Sequence, residues 1–248
     1  MSQQPRETSK YNDPVKELLA VIILGFSLTP ASAVQTKGSV DVSELNTILD
    51  RMSAHEEWQK RHLVEYQVHR KFYAANPRFK QESVLEVKTV FRQPGTLESE
   101  VVRSEGSQLI RTRVFDKILE AEKEANKTKQ EVSITPDNYN FTLLGSQDCS
   151  GRPCYNLKIT PKHKNKYSIN GEIWVDAEDG ALVRLQGSPA QRPSFWTLNT
   201  QVERRYKRIE GVWLCVDMES TSDIFIAGRS TLKVDYDDYS IVQTKGPA

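Results

Sequence analysis

The sequence predicts a mainly β (α+β) fold: an antiparallel meander of about ten strands, long enough that it must curl, with two helices to cover it. Three observations carry this. From Leu63 onward, apolar and polar residues alternate with a period of two in segment after segment. Gly, Pro, Asn or Asp separates most of these segments, often over only a few residues. Two stretches alone keep a helical spacing.

The elements follow in order. Lys10 and Lys16 precede an apolar run from Leu18 to Leu28, and Thr29-Pro-Ala31-Ser32-Ala33 follows. A basic flank, a short apolar core and a small-x-small ending predict a secretory signal peptide over residues 1–33, cleaved after Ala33. The run is too short to span a hydrocarbon core, which needs about 20 residues. Residues 34–248 are then expected to be a soluble, exported, single domain. From Asp41 to Gln59, Val42, Leu45, Ile48, Leu49 and Met52 share one helical face, and Asp41 with Glu44 has the form of a capping box.

The period then becomes two. Val64, Tyr66, Val68 and Phe72 face one way, and Glu65, Gln67, His69 and Lys71 the other. "SVLEVKTVFRQPG" repeats the pattern with Leu85, Val87 and Phe91, and "TLESEVVRSEG" is a more polar third strand. "RTRVFDKILEAEKEANK" restores helical spacing through Val114, Ile118, Ala121 and Ala125. Strands resume over Tyr139–Leu144, Tyr155–Thr160, Tyr167–Val175, Leu182–Gln186, Thr200–Ile209 and Val212–Ser220, with a closing pair from Asp223 to Val242.

Composition narrows the classes. The chain is 38% hydrophobic and 27% charged over 248 residues, well away from the signature of disorder. Its 34 basic and 33 acidic residues give a net charge of +1, so no global field recruits nucleic acid.

Candidate chemistry is thin. His55, His62 and His69 recur every seven residues, but they fall in a helix, at its end and in a strand, so one face cannot gather them as metal ligands. "DAEDG" from Asp176 starts like a calcium loop, yet its twelfth position is Gly187; turn chemistry explains it better. "DYDDY" from Asp235 splits its carboxylates between two faces, and "ERRYKR" from Glu203 reads as a solvated strand. "PKHKNK" from Pro161 is a basic hairpin tip. Neither a nucleophile elbow nor a phosphate loop occurs, so no enzyme and no cofactor is expected.

Cys149 and Cys154 bracket the turn Ser150-Gly-Arg-Pro153. Export favours a disulfide between them, with two thiols beside a turn as the alternative. Cys215, inside "VWLCVDM", reads as a small buried hydrophobe.

"LLGSQDCSGRPCYNLKITPK", "GEIWVDAEDGALVRLQG" and "YKRIEGVWLCVDMES", with the closing "IAGRSTLKVDYDDYSI", resemble the C-terminal half of outer-membrane lipoprotein-sorting proteins. These are the LolA-like carriers and relatives that include the sensor RseB and mycobacterial lipid-transfer domains. The resemblance spans about Leu63 to Val242 and rests on Asp176–Gly180 with Leu182 and Arg184, on Gly211-Val-Trp213-Leu214, and on Gly228 to Tyr239. Where relatives often carry proline after the Trp-Leu pair, this chain has Cys215.

The resemblance implies an incomplete antiparallel β-barrel whose helices form a lid over an apolar cavity. It also implies a periplasmic carrier of lipoprotein acyl chains or a phospholipid-like lipid, meeting a membrane-bound donor or acceptor. A sensor domain that binds such ligands to regulate a partner is the alternative. Alternation supplies the expected cavity residues: Tyr66, Val68, Phe72, Leu85, Val87, Phe91, Phe141, Leu143, Ile173, Val175, Val183 and Leu185. Val42, Leu45, Leu49 and Met52 form the expected lid.

Overall fold

The computed structural model describes residues 42–125, 133–164, 167–192 and 197–244. The expected signal peptide and Asp41 lie outside them. Helix α1 covers Val42–His62, three residues longer than its periodicity required, with Glu44 in its first turn and Lys60, Arg61 and His62 in its last. That charge distribution suits the helix dipole at both ends. The strands are β1 (Leu63–Asn76), β2 (Gln81–Arg92) and β3 (Thr96–Gly106). After β3, a helical turn at Gln108–Ile110 runs through a π-type turn at Arg111–Phe115 into α2 (Asp116–Ala125). Then follow β4 (Tyr139–Asp148), β5 (Pro153–Pro161), β6 (Ile169–Asp176), β7 (Leu182–Pro189), β8 (Thr197–Ile209), β9 (Val212–Ile224) and β10 (Gly228–Gln243).

All ten strands join one antiparallel sheet in the order β3-β2-β1-β10-β9-β8-β7-β6-β5-β4. Two meanders, β1 to β3 and β4 to β10, are stitched together where β1 pairs with β10. The sheet does not close, so the fold is an incomplete barrel with two helices, mainly β. The expected closing pair is resolved differently: β9 runs on to Ile224, and Gly228–Gln243 is one long strand. The open edge β3 is largely exposed and carries Arg103 bound to Glu105 and Glu86, charges that discourage a further strand from pairing there.

Three packed clusters hold the helices to the sheet. Phe72, Leu85, Val87, Val202, Met218 and Val234 meet Ile110, Phe115 and Ile118 from the α2 segment. Leu143, Leu157, Ile159, Ile173, Val175 and Leu185 meet Ile48, with Leu45 and Met52 at the margin. A smaller cluster of Leu63, Val212 and Leu214 packs under Trp58. Each buried Ile, Leu or Phe contributes roughly 1.5–3 kcal/mol, which makes these clusters the main driving force for the fold.

One expected facing is corrected. Val64 is exposed, while Leu63 is buried, because the β1–β10 register shifts between Leu63 and Glu65. A bulge flips parity for everything on one side of it.

Candidate functional site

Between the three clusters the interior is not filled. A half-open cavity of about 600 Å³ lies under α1 and over the middle of β1, β2, β8, β9 and β10. Its apolar walls are Leu49, Met52, Leu63, Val68, Phe91, Leu97, Leu182 and Leu214. His55, Glu56, Gln59 and Lys60 from the second half of α1 form a polar rim.

The floor is polar as well. Arg70 on β1 is almost fully buried, and its guanidinium makes a two-pronged ion pair with Glu122 of α2, at 2.7 and 3.0 Å. Its Nε donates to the Thr89 hydroxyl at 2.8 Å. Burial works against the Arg70 charge, but Glu122 outweighs it and holds the guanidinium protonated far above any physiological pH. Arg204 on β8 is half-buried in the same lining and donates to Tyr206. Tyr66, Tyr236 and Tyr239 complete the floor, with Tyr66 pushed up to about 12 by burial, so all act as neutral hydroxyls. Cys215 also faces the cavity, its thiol pushed up to about 11 by burial. Among the described lining residues, Lys60, Arg70 and Arg204 are cationic against the carboxylates of Glu56 and Glu122. Such an arrangement can take an amphiphile, with hydrocarbon against the walls and an acceptor-rich group against the floor.

A polar seam fixes α1 over this space, and it is built from the turn motifs of the sequence. The Asp176 side chain is buried and accepts the backbone N–H groups of Glu178 and Asp179 at 2.9 and 2.8 Å. Arg152 closes on the same carboxylate with two bonds. Burial raises the Asp176 pKa, but Arg152 and the two N–H donors outweigh that and leave it below the usual carboxylate range. The turn then presents the Ala177 carbonyl to Arg51 of α1 at 2.9 Å. Gly180 follows at φ +71°, where an added Cβ would lie 2.6 Å from the Arg51 carbonyl oxygen. Only glycine lets the helix come this close. On the other side, Gln59 of α1 grips Trp213 through its backbone N–H at 2.9 Å and its carbonyl at 3.1 Å. The Trp213 indole N–H in turn reaches Asp179 at 2.9 Å.

The expected site residues divide. Tyr66, Val68 and Phe91 line the cavity, as do Leu49 and Met52 from α1. Phe72, Leu85 and Val87 instead fill the cluster under α2. Leu143, Ile173, Val175 and Leu185 fill the cluster under the first half of α1, with Phe141 and Leu45 at its edge. Leu182 takes the place expected of Val183, because the β6–β7 register shifts between Trp174 and Val175. Val42 is 69% exposed and belongs to none of the three clusters. Arg70, Arg204, Tyr236 and Gly180 were not anticipated. Arg70 shares the parity of Val68 and Phe72, the one signal in the sequence for its inward position.

Cys149 and Cys154 stand as neighbouring thiols, with Cys149 hydrogen-bonded to Cys154. The three spaced histidines go to separate surroundings: His55 to the cavity rim, His62 stacked on Trp58, and His69 beside Glu86.

Residues 98–191, under half of the chain, match the family model of the MucB/RseB N-terminal domain. The match takes in Arg152 and the Asp176–Gly180 turn. A comparison with curated proteins finds no match. The chain is similar to a solved domain named for outer-membrane lipoprotein sorting from Vibrio parahaemolyticus, at 12% identity over 79% of this chain and 91% of that one, with a TM-score of 0.42. It is similar to a LolA superfamily protein from Nitrosomonas europaea, at 11% identity over 82% and 94%, with a TM-score of 0.42. A DUF1329 family protein from Desulfovibrio piger gives 13% identity over 79% and 92%, with a TM-score of 0.41.

Proposed function

We propose, from the match of residues 98–191 to the MucB/RseB N-terminal domain and from the cavity under α1, that this chain is an exported binding protein for lipids or lipoproteins. Residues 1–33 are its cleaved signal peptide, and residues 34–248 are one binding domain that works outside the cytoplasm as a carrier rather than an enzyme. No helix among the described residues is long and apolar enough to cross a membrane.

The observation that carries the reading is the cavity, with apolar walls and a cationic, hydroxyl-rich floor. Its volume of about 600 Å³ suits a single ligand of small-molecule size. Each methylene that leaves water contributes about 0.8 kcal/mol, so an acyl chain is held by area. Tyr66, Val68, Phe91, Leu49 and Met52 supply that area here, and Arg70 and Arg204 face its polar end. The other expected cavity residues, Val183 aside, pack beside the cavity in the clusters under the two helices. In an oxidising compartment Cys149 and Cys154 become a disulfide that pins the β4–β5 turn next to Arg152.

Native mass spectrometry of the protein isolated from its own envelope, followed by lipid extraction, tests the reading. A bound acyl-containing lipid is expected. A chain that comes out empty, and that also fails to take up a fluorescent fatty acid, overturns it.

A second reading is favoured by the identity of the matched family model: a sensor domain that binds the same ligands to regulate a partner protein. Affinity capture with and without added fatty acid separates the two. A protein partner whose binding depends on the ligand makes the chain a sensor.

A further inference from the structure

At the end of the sheet away from α1, the ordinary rules of turn chemistry are broken. The β9–β10 hairpin turns through Phe225, Ile226 and Ala227, where glycine, asparagine or aspartate is the cheap choice. Ile226 stands at φ +70°, a conformation that is costly for any β-branched residue. It gains little packing in return, being 65% exposed. Next to it, the short helical turn at Pro77–Phe79 joins β1 to β2 and leaves Phe79 54% exposed. The two turns form one unit: the Asn76 amide donates to the Ala227 carbonyl at 3.1 Å and to the Ser230 hydroxyl at 2.8 Å. Leu198, at the start of neighbouring β8, is 52% exposed at the same end.

Charge surrounds this apolar tip with one sign in excess. Arg78 and Lys80 flank Phe79 and are exposed, and Lys80 is itself held at φ +51°. Arg229 follows the hairpin and pairs with Asp223 at 3.0 Å. The next acid, Glu82, lies further back and takes the Tyr73 hydroxyl. Exposed aromatic and aliphatic side chains inside a basic fringe match the boundary of an anionic bilayer, where hydrocarbon lies just beneath phosphate. Strained backbone concentrates at binding sites and ligand clamps, which gives the exposed Ile226 a reason to be kept.

We propose that this tip docks the protein on an anionic lipid surface, with Phe79 and Ile226 entering the headgroup boundary and Arg78 and Lys80 meeting lipid phosphates. The inference does not depend on the cavity. Arg70 on the cavity floor lies six residues back along β1 from Asn76, roughly 20 Å at strand rise, so docking holds the cavity clear of the membrane.

Vesicle flotation of the full chain tests this, with phosphatidylcholine vesicles made with and without phosphatidylglycerol. The wild type is expected to float with the anionic vesicles, and Phe79→Ser with Ile226→Gly to weaken that by about tenfold or more. Arg78→Gln with Lys80→Gln is expected to remove the dependence on phosphatidylglycerol. Ile226→Gly also relieves the positive φ, so thermal stability should hold or rise; a purely structural role would lower it. The apolar segment Leu18–Leu28 is common to all variants, and the chain has four tryptophans of its own, so the quenching by acyl-brominated lipids that Phe79→Trp adds over the wild type reports the tip itself. Equal flotation of wild type and the tip variant, or no quenching at position 79, overturns the proposal. Fatty-acid uptake should be unchanged in every tip variant. Failure of that uptake in the wild type sinks the carrier reading and leaves the docking surface standing.

Discussion

The two halves of the interior are made from the same strands and end in opposite states. Under the α2 segment, Phe115 and Ile118 descend into the pleats and meet Phe72, Leu85 and Val234 in one packed cluster. Under the second half of α1, the residues at equivalent spacing are His55, Gln59 and Lys60, which cannot fill a dry space. The strands answer in kind, because β1 turns from Phe72 to Arg70 and β8 from Val202 to Arg204. A cavity here is therefore not a packing defect. It follows from polar residues on both a helix and the sheet beneath it, where a packed core would leave each of them unsatisfied.

The filled half is the more sensitive to truncation. Phe72→Ala should cost about 3–5 kcal/mol in urea denaturation, the usual penalty for emptying a buried aromatic site. Fatty-acid affinity should barely change, and a large loss of uptake at unchanged stability would place Phe72 in the pocket. On the cavity floor, Arg70→Met leaves Glu122 half-buried beside apolar atoms and should cost about 3 kcal/mol. Adding Glu122→Leu should recover most of that, since an apolar pair replaces a pair of desolvated charges. A double variant no more stable than the single one would show that the ion pair itself holds the fold.

Smaller effects sharpen the role of the seam. Gly180→Ala should cost about 1–3 kcal/mol through its positive φ and its approach to Arg51. It should also speed ligand exchange by loosening α1, read from stopped-flow release of a fluorescent fatty acid. The smallest effect is on pH. The folded Asp176 pKa is depressed, so the stability it contributes is present above the unfolded value of 3.8 and is lost as pH falls through the folded value. Asp176→Asn should therefore flatten the acid limb of the stability profile below that value while lowering the plateau above it.

Legibility in the sequence followed how local each feature was. Most strand segments and the inward faces of β2 and β6 came from side-chain parity, and both helices from helical spacing. Val64 and Val183 failed for one shared reason: a register shift beside each residue, set by the partner strand, reversed the parity on one side of it. The Asp176–Gly180 turn was recognisable as a turn, and its purpose was not. Nothing near Gly180 in sequence mentions Arg51, which arrives from α1 across the fold.

The sequence by itself determined most of the dry strand positions away from the register shifts, because alternation is a property of neighbouring residues. Only the tertiary structure decided which dry positions fill a core and which border a cavity. That outcome depends on whether a helix and a sheet, far apart in the chain, both supply apolar volume to the same space. At Phe72 they do, and the site is packed. At Val68, only two strand steps from there across Arg70, they do not, and the space stays open.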